Sequence, residues 1–102
     1  MNAPPFSVLA AETFLHTVIS LAASPAHRAR LKKIRKAQRF LEQQGPSYPG
    51  FNTHQIRDRQ GPFGEPVYQS YVENRSPGAW RLWWMYGPGT DEITLLDVGP
   101  HP

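Results

Sequence analysis

The segment from Pro25 to Gln44, PAHRARLKKIRKAQRFLEQQ, restricts the fold more than any other stretch of this chain. Ser24 reads as an N-cap with proline at the first helical position, and Gly45-Pro46 reads as a stop, so the segment predicts one helix of about five turns. At roughly 100° per residue, Leu31, Ile34, Ala37 and Leu41 collect on one face, whereas Arg28, Lys32, Arg35, Lys36 and Arg39 collect on the other. Such a helix covers a core with one side and presents a basic stripe to its surroundings.

Upstream, AETFLHTVISLAA sets Phe14, Leu15, Val18, Ile19 and Leu21 at helical spacing, which predicts a second helix folded back on the first through a tight Ser24-Pro25 corner. Residues 6 to 10, FSVLA, either open that helix or form a short edge strand. Beyond Gly45, short β-prone runs alternate with turn residues. The strand candidates are FNTHQI (51 to 56), PVYQSYVE (66 to 73), AWRLWWMY (79 to 86) and EITLLDV (92 to 98), the last three separated by NRSPG and GPGTD. The expected fold is therefore α+β: a single domain over residues 1–102, with an N-terminal helical hairpin packed on one face of a small, mostly antiparallel twisted sheet.

In AWRLWWMY, a period of two places Trp80, Leu82, Trp84 and Tyr86 on the face under the helices. Arg81, Trp83 and Met85 then lie on the open face.

The absence of cysteine excludes disulfide scaffolds and thiolate metal sites and suits a reducing cytoplasm. The four histidines show no metal-ligand spacing and no clustered carboxylates, so neither a metal nor another cofactor is expected, and His16 and His27 read as structural. The apolar N-terminal stretch has no basic leader and is interrupted by Glu12 and His16, so it reads as folded structure rather than a signal peptide. No run approaches a membrane span. Net charge is only +3, yet seven of the eleven Lys and Arg fall between Arg28 and Arg39. Like charges on one helix face repel and cost stability, which points to a polyanionic partner.

The order of these elements, with the strand AWRLWWMY carrying an arginine near its start and the closing EITLLDVGPHP, resembles the RelE/ParE superfamily of toxins from type II toxin-antitoxin systems. In that family an arginine-bearing strand is followed by a short turn and a strand ending in a Gly-His or basic cluster; Arg81, Val98-Gly99 and His101 stand at the corresponding places. For the ribonuclease branch the resemblance implies ribosome-dependent cleavage of mRNA, without a metal, by attack of a ribose 2′-OH on the adjacent phosphate. Arg81 is then the first candidate to hold the phosphate, since its planar fork gives two charge-assisted hydrogen bonds. His101, between Pro100 and Pro102, is the leading candidate for proton transfer and His54 the second. Arg57 or Arg59 could reach the same groove, and Trp83 could stack a base.

On the same resemblance the basic stripe of Arg28, Lys32, Arg35, Lys36 and Arg39 meets ribosomal RNA. A cognate antitoxin protein covers the groove of Arg81 and His101. Two other outcomes follow from the resemblance: a ParE-like toxin that poisons DNA gyrase without nuclease activity, and a degenerate, non-enzymatic module that binds nucleic acid or a partner.

Overall fold

The computed structural model describes residues 3–74 and 76–101; Arg75, in the predicted NRSPG turn, and Pro102 lie outside the described residues. The elements run β1 (Ser7–Ala10), α1 (Glu12–Ala22), α2 (Arg28–Gln44), β2 (His54–Gln60), β3 (Pro66–Tyr71), β4 (Trp80–Tyr86) and β5 (Glu92–Pro100). One sheet holds all five strands in the order β1-β5-β4-β3-β2. Three of its pairings are antiparallel and the fourth, β1 against β5, is parallel.

The long helix forms as its sequence predicts, with its first residues tightened into a 3-10 turn over Pro25–His27. Its stop lies at Gly45, whose φ of 81° needs a residue without Cβ and whose N–H closes on the carbonyl of Leu41 at 3.1 Å. Of residues 6 to 10, Ser7–Ala10 form an edge strand paired with β5. The Phe6 ring enters the core at 4% exposure, and its N–H donates to the Glu42 carbonyl at 2.8 Å, tying the start of the sheet to the end of α2.

The weakest strand signal is displaced from its expected place. Pro49–Phe51 form a 3-10 turn and Asn52 takes a left-handed conformation (φ 48°), so the strand begins at His54 and continues to Gln60. Phe51 is buried as a core residue next to Tyr48 rather than as a strand residue. Asparagine tolerates the left-handed region better than other side chains, which makes Asn52 the place where the chain turns into β2.

Both helices lie on one face of the sheet. Phe14 and Leu21 of α1 and Ile34, Ala37 and Leu41 of α2 pack with Leu82, Trp84, Ile93, Leu95 and Val98. Trp84 is fully buried, its ring stacks on Tyr68 (centroids 4.9 Å), and its Nε1–H donates to Ser70 Oγ at 2.9 Å. Trp80 flanks this cluster and Tyr86 caps the strand end against Phe6 and Tyr68. The predicted alternation in β4 holds, and burial of each large apolar chain contributes about 1.5–3 kcal/mol.

Two irregularities shape the other face. In β5 the partners of Trp83 and Trp84 are Asp97 and Leu95, so Leu96 is an extra residue. In β2 the residues 57–59 are inserted between the partners of Val67 and Pro66. Bulges of this kind re-aim side chains.

Candidate functional site

Across the open face runs one row of directly paired residues: His54 on β2, Gln69 on β3, Trp83 on β4 and Asp97 on β5. Each pairing sets Cβ atoms about 4.5–5.5 Å apart, close enough for side chains to bond along the row. Trp83 Nε1–H donates to Gln69 Oε1 at 3.1 Å, Gln69 Nε2 stands 3.5 Å from His54 Nε2, and His54 Nδ1 is 3.2 Å from the Asn52 carbonyl oxygen. Gln69 is 5% exposed, so its amide is held by these partners rather than by water.

His54, Gln69 and Trp83 of this row line an open groove of ≈ 490 Å³, bounded also by Ile56, Asp58, Arg59 and His101. His101 reaches it because β5 runs on past Val98 and the His101 N–H closes on the Ala79 carbonyl at 2.9 Å. Arg59 reaches it through the inserted residues of β2: its guanidinium lies 5.7 Å from the Trp83 ring centroid and 4.0 Å from Asp97 Oδ2. The extra residue in β5 turns Asp97 to the same side. Arginine, two imidazoles and an indole thus share one concavity, a set able to hold a phosphate, move protons and stack a base.

Arg81 occupies the adjacent row, between Tyr71 and Gly99. It is 9% exposed and does not line the groove. Its guanidinium stacks on Tyr71 at 3.7 Å from the ring centroid and donates through Nη1 to the carbonyl oxygens of Glu73 and Trp80. The Arg81 Nε is buried and makes no hydrogen bond among the described residues.

Glu73 binds this corner to α2. Its carboxylate accepts from Arg30 Nε (3.1 Å) and from the Trp80 N–H (3.1 Å), lies 3.8 Å from Lys33 Nζ, and has Arg30 also over the Trp80 ring at 4.7 Å. Burial alone would push the Glu73 carboxyl up, but the Arg30 and Trp80 hydrogen bonds and the charges of Arg30 and Lys33 outweigh it and hold it below its ordinary value.

Of the sequence candidates, His54, Arg59, Trp83 and His101 come together. Arg57 is exposed and outside the groove lining. Arg28, Lys32, Arg35, Lys36 and Arg39 line a separate shallow depression with Leu31 along α2, opposite the helix face that packs on the sheet. Among the described residues none of these five takes part in an ion pair. Gln69 and Asp97 escaped the sequence reading; the only sign of Gln69 was an amide in the middle of a strand otherwise rich in β-formers. Among the described residues no three histidines or carboxylates gather to hold a metal.

A helical hairpin over one face of a five-stranded mixed sheet is the fold found in solved RelE-like structures. Several solved structures carry the likeness. They include an archaeal RelE–RelB complex from Pyrococcus horikoshii (TM-score 0.64, 14% identity, 94% of each chain), a YoeB dimer from Staphylococcus aureus (0.67, 9%, 96% of this chain and 99% of that one) and a copper-bound mutant toxin from Helicobacter pylori (0.62, 17%, 94% of each). No family model and no curated protein matches the sequence. No helix among the described residues is long and apolar enough to cross a membrane.

Proposed function

We propose that this protein is a cytoplasmic toxin of a type II toxin-antitoxin system and acts as a metal-independent, ribosome-dependent mRNA endonuclease. The observation that carries the reading is the convergence of His54, His101, Arg59 and Trp83 in one groove on the open face of a RelE-type sheet. In-line attack of a 2′-OH on the adjacent phosphate needs a proton acceptor, a cation beside the developing phosphorane charge, and a donor to the departing 5′ oxygen. His54 takes the 2′ proton, and His101 protonates the leaving oxygen as the P–O5′ bond breaks. The product is a 2′,3′-cyclic phosphate.

The phosphate-holding cation is assigned to Arg59 rather than Arg81, because the Arg59 head lies in the groove while the Arg81 head is given to two backbone carbonyls. Arg81 then serves by tying the Glu73 carbonyl, just past β3, to the start of β4. Trp83 offers a ring on which a base can stack. The α2 stripe contacts ribosomal RNA on the far side of the molecule from the groove. A cognate antitoxin protein is the silencing partner; the RelE–RelB complex among the structural neighbours supports that expectation.

The test is to induce the wild-type chain and the His54→Ala, His101→Ala double variant in bacteria and map 5′ ends on a translated reporter mRNA. New ends within codons for the wild type alone support the nuclease. Growth arrest with a DNA-damage response and intact mRNA would assign a ParE-like action on gyrase instead, and growth without arrest a binding module.

A further inference from the structure

The row His54–Gln69–Trp83 contains a directional constraint. An indole Nε1–H can only donate, so the Gln69 oxygen must face Trp83, where the 3.1 Å contact lies. The Gln69 amide therefore turns its NH₂ toward His54, 3.5 Å from Nε2, and an NH₂ can only donate. His54 Nε2 is left as the acceptor nitrogen. The other ring nitrogen, Nδ1, stands 3.2 Å from the Asn52 carbonyl, which can only accept, so Nδ1 carries the proton. Both ends of the chain of bonds give the same tautomer. Its anchors are rigid: Trp83 sits in a central strand, and the Asn52 carbonyl is set by the left-handed turn that starts β2.

From this geometry we infer that Gln69 is a positioning residue that holds His54 in the Nδ1–H tautomer and keeps Nε2 unprotonated at the groove. The consequence for catalysis rests on the reading of His54 as proton acceptor. At 3.5 Å the Gln69 contact is at the long limit of a hydrogen bond, so it selects which nitrogen is bare without occupying it firmly. A ribose 2′-OH entering the groove replaces it as donor to Nε2. A histidine in the opposite tautomer would meet that hydroxyl with an N–H and could not take its proton.

The test reads the tautomer directly, by long-range ¹H–¹⁵N correlation of the imidazoles in ¹⁵N-labelled protein at a pH well above the ordinary histidine range. In the wild type, His54 gives the pattern of a protonated Nδ1 and a bare Nε2, the reverse of the tautomer that free histidine favours in water. In Gln69→Glu the carboxylate still accepts from Trp83 but can no longer donate, so His54 Nε2 becomes protonated while the Trp83 indole N–H signal stays in place. Trp83→Phe removes the donor that orients the amide and yields a mixture of tautomers, a check that leaves Gln69 and His54 untouched. A wild-type His54 protonated at Nε2, or a Gln69→Glu spectrum with an unchanged His54, overturns the inference. If the tautomers behave as stated but reporter mRNA is not cut, the nuclease reading fails and the positioning role of Gln69 stands; if both hold, Gln69→Glu cuts as slowly as His54→Ala.

Discussion

Arg59 and Asp97 reach each other over the indole of Trp83, with Nη2 and Oδ2 4.0 Å apart, although they come from strands separated by two others in the sheet. The pair exists because both strands depart from regular pairing, β2 by the inserted residues 57–59 and β5 by Leu96. Both side chains are partly solvated, so the pair adds little to folding stability. Its larger effect is to place a carboxylate against the Arg59 head at the edge of the groove.

Asp97→Asn is therefore expected to tighten binding of short single-stranded RNA, and Arg59→Ala to weaken it by about tenfold while lowering the salt dependence by roughly one phosphate contact. Filter binding across a salt series measures both. Equal affinities for the two variants would remove Arg59 from the site.

Trp83→Ala takes away the stacking surface and the indole donor together, whereas Trp83→Phe keeps the ring. If a base stacks there, the alanine variant loses about 1–3 kcal/mol of RNA affinity and the phenylalanine variant retains most of it. A loss of the same size in both would assign Trp83 to orienting Gln69 alone.

Glu73 gives the fold a pH dependence of known sign. Its carboxyl is held below the ordinary value of 4.5, so it contributes stability that is fully present above that pH and is lost as pH falls through the lowered folded value. Glu73→Gln is expected to cost about 1–3 kcal/mol at neutral pH. Chemical denaturation from neutral pH down to pH about 3 should show the two proteins converging in acid. Parallel curves would mean that the carboxylate does not couple folding to protons.

In β4, period-two alternation separated Leu82 and Trp84 from Trp83 because β4 carries no inserted residue of its own, the bulge beside it lying in β5. In β5, the same rule would leave Asp97 on the face of Ile93 and Leu95, since nothing in EITLLDV marks a bulge at Leu96. The inserted residues of β2 were equally silent, being polar and without glycine, and so Arg57 and Arg59 could not be told apart. Arg81 was legible as an open-face residue; its burial depends on Tyr71 and the Glu73 carbonyl, which only tertiary pairing brings to it.

Ser70 is fully buried opposite Leu82, where its Oγ receives the Trp84 indole N–H and lies 2.7 Å from Thr53 Oγ1. Ser70→Ala leaves a buried indole donor without a partner and is expected to cost about 1–3 kcal/mol. Ser70→Thr keeps the hydroxyl but adds a methyl at a fully buried position, where overpacking is expected to cost about 1–3 kcal/mol. Thermal unfolding should therefore rank wild type above both, and an alanine variant as stable as wild type would show that the indole bond contributes nothing net.

The stripe on α2 permits the sharpest separation of binding from folding. Lys32, Lys36 and Arg39 are exposed, and the like charges around them disfavour the helix. Replacing all three by glutamine should leave the melting temperature unchanged or raise it slightly, the opposite sign from a folding defect. Ribosome co-sedimentation should nonetheless fall, with a salt dependence smaller by roughly three phosphate contacts. The groove of His54, Arg59 and Trp83 lies on the other side of the sheet and keeps its own affinity for short RNA in the triple variant. Undiminished co-sedimentation would leave the stripe as a solvated face, whereas loss of ribosome binding with an intact groove would make it the surface by which the protein finds its target.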